Sequence, residues 1–412
     1  MQSVLLQNVN VIDGTGSDLQ SGLDVLISEG HISAMGPKGS LPIHSPETQV
    51  YALDGMTLLP GLIDCHVHLF ADAGPEGRLD SSELPGFALL RAAYHARRTL
   101  EAGITTVRDC GGQSHMEFAL RQAISAGYCR GPRLILAGRL LSMTSAGAEA
   151  FSGMYREADG PDEVRKAARE QLKAGADVIK VMATGAVMTP GERPGASQFT
   201  FEELCAAVEE AHKAGRKVAA HAHGSEGILT AVLAGTDTIE HGSLLCDSPE
   251  AMQRMAERGV FLVPTLATSA MTTHCDLIPD FMAENDRIIG DAAQRSVRAA
   301  SAASVPIAMG TDAGVPFVMH GDNAIELVLM VEAGLTPMQS IVASTSNAAR
   351  ALGLQDEIGT VEVGKCADLL VVDGNPLDDI ALVTRKERIH MVMHKGQIVI
   401  AEPQFEAAQT RP

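Results

Sequence analysis

The sequence predicts an α/β protein: a TIM-type (β/α)8 barrel with a small β-sandwich built from both termini. Three observations carry this expectation. Apolar strand-like segments alternate with helix-like ones through the middle of the chain, eight strand candidates fall in that stretch, and turn-rich β segments lie at either end. Strands separated by helices imply a parallel sheet, and eight is the number that closes a barrel. An open doubly wound sheet would carry Gly-x-Gly-x-x-Gly after its first strand, and that signature is not there.

Taken in order, residues 4–6, 9–12 and 24–27 read as strands, with turn signals at Asp13-Gly14 and Glu29-Gly30. The barrel strands are expected at 62–68, 104–109, 133–138, 177–183, 217–223, 237–241, 260–264 and 305–312. Helical stretches at 86–102, 162–174, 200–214 and 225–234 separate them, and Gly175, Gly215 and Gly235 supply helix stops. Near the C-terminus, 367–372 and 390–393 read as strands, and 395–400 completes a hairpin. The expected division is a discontinuous β-domain of 1–57 and 359–402 around a barrel domain of 58–358.

Bulk properties exclude several function classes. With 45% hydrophobic and 20% charged residues, the 412-residue chain reads as globular rather than disordered. A net charge of −19 with scattered Lys and Arg argues against a nucleic acid partner, and the lack of Trp with 3% aromatics argues against a base-stacking platform. The seven cysteines, at 65, 110, 129, 205, 246, 275 and 366, form no Cys-x-x-Cys, which suits reduced thiols in a cytoplasmic protein. The N-terminus lacks the cationic and apolar pattern of a signal peptide. No apolar run approaches the ~20 residues that span a bilayer, so no membrane association is expected.

Chemistry in such a barrel sits at the C-terminal ends of the strands. Those ends carry His66 and His68, then Lys180, then His221 and His223, then Glu240-His241-Gly242, then Asp312 within Gly310-Thr-Asp-Ala-Gly314. Alternation along a strand places the imidazoles of each His-x-His side by side. Lys180 lies in the apolar run Val178-Ile-Lys-Val-Met182 with no carboxylate neighbour in sequence, so a free ammonium there is costly. Imidazole and carboxylate are natural zinc ligands. His221 and His223 share a face, and position alone does not say which would bind a metal. Arg108 at the end of the second strand either meets a substrate carboxylate or joins a buried network with Asp109 or Glu240. His320 belongs either to the loop after the eighth strand or to the pocket.

Jointly, the run 60–68, Thr106-Val-Arg-Asp-Cys-Gly-Gly112, Lys180, His221-Ala-His-Gly224, Ile239-Glu-His-Gly242, Gly310–Gly314 and Gly359–Asp368 resemble the motifs of the amidohydrolase superfamily. The resemblance is to its branch with a carboxylated lysine between two divalent metals, near the prolidase, Xaa-Arg/Lys carboxypeptidase and ochratoxin-type amidase group. It implies His66, His68, Lys180, His221, His241 and Asp312 as metal ligands, N6-carboxylysine at Lys180, and zinc as the default metal. It implies hydrolysis of an amide or peptide bond by a metal-bridging hydroxide, with Asp312 moving the proton and His223 facing the substrate. The substrate would be a dipeptide, an N-acyl amino acid or an ochratoxin-like aryl amide, with a free carboxylate that Arg108 could meet. Homo-oligomers, up to octamers, are frequent in such relatives. Where relatives often show Thr-Gly-Gly-His, this chain reads Thr144-Ser-Ala-Gly147, which bears on substrate choice. Two rival readings are a mononuclear deaminase of a heterocycle, using Glu226 as proton shuttle and leaving Lys180 idle, and a non-catalytic barrel that keeps the ligand shell.

Overall fold

The computed structural model describes residues 3–42, 46–76, 79, 82–268 and 276–401. Cys275 and residue 402 of the expected β-domain lie outside them. The other six cysteines are free thiols. No helix of the described residues is long and apolar enough to cross a membrane.

The centre of the chain forms two parallel sheets. One joins Leu62–Val67, Ile104–Asp109 and Arg133–Leu136. The other has six strands in the order Tyr155–Glu157, Leu140–Ser142, Val178–Met182, Lys217–Ala222, Thr238–His241 and Phe261–Val263. Leu62–Val67, Ile104–Asp109 and Val178–Met182 are buried at every position. Strands covered on both faces need such near-continuous apolar runs. The short strands Leu140–Ser142 and Tyr155–Glu157 were not expected. They pair in parallel over three residues.

The expected eighth strand, 305–312, is not a regular strand. It makes the isolated bridges Leu262↔Ile307 and, just beyond, Val67↔Ala313, so it touches both sheets. Its backbone leaves the extended region at Asp312, where φ is 62°, and Gly310 packs so close to His66 that a β-carbon there would sit 2.9 Å from the His66 Cβ. Regular pairing cannot continue through such a turn.

Helices cover the parallel strands. Phe201–Lys213 begins at a capping box, with the Thr200 side chain accepting from the Glu203 amide and the Glu203 carboxylate accepting from Thr200. Pro161–Ala174 and Ser225–Ala234 both end on left-handed glycines, Gly175 and Gly235, as expected from the sequence.

Both termini meet in one mixed sheet of eight strands. Leu369–Asp373 pairs antiparallel with Met56–Pro60, tying the C-terminal strands to the N-terminal ones. Among the described residues, hydrogen bonds link all eight strands into a single sheet. The cause lies in Val4–Val11, whose first half pairs in parallel with Gln49–Ala52 and whose second half pairs with Met56–Pro60, with register shifts between. One bent strand thus keeps both halves hydrogen-bonded. Side chains alternate across it: Leu58, Leu369 and Val371 pack in the sheet's own core, whereas Leu59, Leu370 and Val372 join the core beneath the parallel strands.

Candidate active site

Seven of the side chains singled out in the sequence line one cavity of about 910 Å³, counting its open mouth: His66, His68, Lys180, His221, His223, His241 and Asp312. Each leaves the C-terminal end of a parallel strand or the segment 305–313, so the topology alone converges them. The ligand atoms of His221, His223 and His241 lie within 4.8 Å of one another, as do those of His66, His241 and Asp312. Asp312 Oδ1 is 3.3 Å from His68 Nε2 and 3.5 Å from His66 Nε2.

Every ring is held by one nitrogen. His66 Nδ1 donates to Glu240 Oε2 at 2.8 Å, His68 Nδ1 to the Gly111 carbonyl at 3.2 Å, and His221 Nε2 to the Gly185 carbonyl at 3.3 Å. His223 Nδ1 bonds Ser243 Oγ at 2.8 Å and His241 Nδ1 bonds Thr265 Oγ1 at 2.7 Å. Such outer hydrogen bonds fix ring orientation, and the acceptor-only partners of His66, His68 and His221 also fix the tautomer, leaving the other nitrogen of those rings to accept. His241 and Asp312 both adopt left-handed backbone, with φ of 67° and 62°. Neither residue type takes that conformation without cost, and such strain concentrates at functional sites.

Electrostatics keep four of the five rings neutral. Burial pushes His66 down to about 4, helped by the Lys180 ammonium, and pushes His223 down to about 3. Burial, then the neighbouring imidazoles, holds His221 and His241 well below the usual histidine range. For His68, burial is outweighed by the hydrogen bond and charge of Asp312, which raise it. Burial works against the Asp312 carboxylate, but His66, His68 and Lys180 together draw it down to about 2. The cavity therefore combines an ionised carboxylate with four imidazoles whose lone pairs are free of protons. That donor set suits a divalent cation.

Lys180 is the outlier of the group. It is only 2% exposed, and its Nζ has no hydrogen-bond partner among the described residues. A buried ammonium with no acceptor is costly, and Lys180 lines the same cavity as the histidines.

Arg108 corrects one expectation. Its side chain does not line the cavity: Nη2 donates to Glu240 Oε1 at 2.6 Å, Nε to the Cys65 carbonyl at 2.5 Å and Nη1 to Thr238 Oγ1 at 3.1 Å. It is 1% exposed, so a substrate carboxylate has no path to it. Glu240 in turn holds His66, and Arg108 above all keeps that carboxylate below its usual range against the effect of burial. His320 also sits beneath the site, stacked on His95 at 4.4 Å with Nε2 donating to the His68 carbonyl at 3.2 Å. Glu226 is exposed at the start of Ser225–Ala234 and does not line the cavity, which removes the proton shuttle of the deaminase reading.

The sequence reading assigned no role to Asp64, Ser243 or Thr265. Asp64 is fully buried, and its carboxylate accepts from the amides of His66 and Thr311 at 3.0 and 3.1 Å, from Thr311 Oγ1 at 2.6 Å and from Asn323 Nδ2 at 2.8 Å. It thereby splices the strand carrying His66 to the segment carrying Asp312. Its presence two residues before His66 was the only sequence signal; Ser243 and Thr265 gave none.

Comparison with known proteins agrees with this geometry. The sequence model of the Amidohydrolase family matches residues 57–399. The chain is 31% identical over 428 residues to an ochratoxinase of Aspergillus niger, covering 94% of this chain and 85% of that protein. Among solved structures it is similar to a Xaa-Pro dipeptidase with methionine bound in its active site, with a TM-score of 0.88 and 33% identity over 96% of this chain and 99% of the other. It is similar as well to a prolidase complexed with N-methylphosphonate-L-proline, with a TM-score of 0.88 and 30% identity over 97% of this chain and 100% of the other.

Proposed function

The chain belongs to the amidohydrolase family and is a hydrolytic enzyme acting on amide or peptide bonds, and from that premise we propose that its hydrolysis depends on a pair of divalent metal ions. The observation that carries the proposal is the orphaned Nζ of Lys180 at the edge of four lone-pair-bearing imidazoles and an ionised aspartate. A carbamate at that nitrogen, formed when the ammonium gives up one proton, the free amine attacks carbon dioxide and a second proton leaves the nitrogen, would convert a buried cation without a hydrogen-bond acceptor into an anionic ligand. His66, His68, the carboxylated Lys180, His221, His241 and Asp312 would then hold the metals, zinc being the default for this donor set. Bound there, such ions supply Lewis acidity toward a carbonyl and lower the pKa of water toward ~7.

The chain's own residues do the rest. Asp312, ionised and 3.3 Å from His68, accepts a proton from the attacking water and returns it to the leaving nitrogen. His223, in the neutral tautomer whose Nδ1 accepts from the Ser243 hydroxyl, donates its Nε2 proton toward the developing oxyanion. The apolar walls exclude bulk water from the reacting bond. At the level of architecture, we read the two parallel sheets and the segment 305–313 as one closed eight-stranded barrel, residues 58–358, with 1–57 and 359–402 as the attached β module. We place the enzyme in the cytoplasm as a homo-oligomer acting on small-molecule amides.

The test is a screen of N-acyl amino acids, dipeptides and aryl amides with parallel metal analysis. Dialysis against a chelator should abolish turnover, and added zinc or another divalent ion should restore it. Full activity in thoroughly chelated protein would overturn the proposal.

A further inference from the structure

We propose that the group this cavity receives beside the scissile bond is uncharged and apolar, an aryl or branched alkyl moiety, rather than one bearing a free carboxylate. The inference deepens the hydrolase reading and rests on it. It starts from the walls. Leu140, Phe151, Met154, Tyr155 and Met182 form one buried cluster facing the histidines, with the Phe151 and Tyr155 rings stacked at 5.8 Å and 19°. The lining also includes Pro264, Ile289, Ala293 and Val315. Aromatic and thioether side chains of this kind bind flat or irregular apolar groups well and carry no positive charge to meet an anion.

The charge inventory points the same way. Among the described lining residues only Lys180, Asp312 and the histidines are titratable apart from Tyr155, and all but Tyr155 and His223 belong to the proposed ligand set. The one cation expected to meet a carboxylate, Arg108, is consumed by Glu240 beneath the floor. Burial above all pushes the Tyr155 phenol above its usual range, with the Glu192 and Asp312 carboxylates adding to it. Among the described residues, a carboxylate entering this space would exchange its hydration for neutral donors such as the Tyr155 hydroxyl and meet no cation outside the proposed ligand set. The chain's net charge of −19 also disfavours the approach of an anion.

The experiment compares two amides that differ by one group, N-acetylphenethylamine and N-acetylphenylalanine, on the metal-loaded full chain. The expected result is a kcat/KM higher for the neutral amide by about tenfold or more. Their uncleavable benzenesulfonyl counterparts, titrated by calorimetry, should show the same order in Kd. Met154→Lys should move the kcat/KM ratio toward the acid by about tenfold, while Met154→Leu, a control for folding, should leave it in place. Preference for the acid in the native enzyme would overturn the inference and leave the hydrolase reading standing. So would an acid preference lost on Arg78→Ala, since Arg78 adjoins the lining residue Leu79 but lies outside the described residues. If neither amide is cleaved while the neutral sulfonamide still binds tighter, the hydrolase reading fails and the apolar pocket survives.

Discussion

Asp312 shows how much of the chemistry is set by single side chains. Its carboxylate stays ionised despite burial because His66, His68 and Lys180 surround it, and its left-handed backbone aims it back at the strand that carries the histidines. Asp312→Asn should retain most of the bound metal and lose kcat by ~10² or more, measured by steady-state kinetics beside metal analysis. An undiminished kcat would remove Asp312 from proton transfer. Arg108 works at one remove. It neutralises Glu240, which orients His66, all three groups being 2% exposed or less. Arg108→Met leaves the Glu240 carboxylate buried and unpaired, a loss of ~3–5 kcal/mol in urea unfolding; a variant of native stability would show that the pair contributes nothing. The sequence made the ligand types legible, because His-x-His and a lysine in an apolar strand are unusual at strand ends. It could not decide the role of Arg108, because an arginine at a strand end can turn toward the pocket or the core with equal ease, and only the position of Glu240 settles which.

Between elements, helix packing is reinforced by a charge cluster remote from the cavity. Glu210 on Phe201–Lys213 accepts from Arg165 and Arg169 of Pro161–Ala174 at 2.8 Å each, and from Lys213 at 3.1 Å. The Arg169 hydrogen bond foremost holds Glu210 at about 2, below its ordinary 4.5. A carboxylate lowered in the folded state contributes stability that is complete above the ordinary value and lost as pH falls toward the folded one. Glu210→Gln should therefore lower the urea midpoint at about pH 7, and the gap should shrink steadily between 4.5 and 2. A gap that is constant across that range would contradict the assignment. Elements themselves were legible where periodicity and stop signals agreed, as at Ser225–Ala234, which starts and ends where the sequence places it. They were not legible where the chain breaks regularity to build the site. The segment 305–312 reads as a strand because it is apolar, and only the positive φ of Asp312 and the tight seat of Gly310 against His66 reveal why it pairs in fragments. Tyr155–Glu157 and Leu140–Ser142, three residues each, are too short to announce themselves.

Across the whole molecule, the sheet made by both termini and the parallel strands share a core, since Leu59, Leu370 and Val372 pack into the same cluster as Ile104 and Val107. Asp368 reinforces that seam, bonding Arg133 of the parallel strands at 3.2 Å and His394 of the terminal sheet at 2.9 Å. The β-rich ends were legible as one module from their matching composition; their joining into a single sheet was not, because one strand's bend decides it. The same seam supports the strand ends on which the site depends, and the site's central claim concerns Lys180. That claim is tested most directly by counting metal in purified protein, native against Lys180→Ala, by mass spectrometry after loading with zinc and bicarbonate. The account predicts two ions per native chain and one or none in the variant. Two ions in both would contradict it.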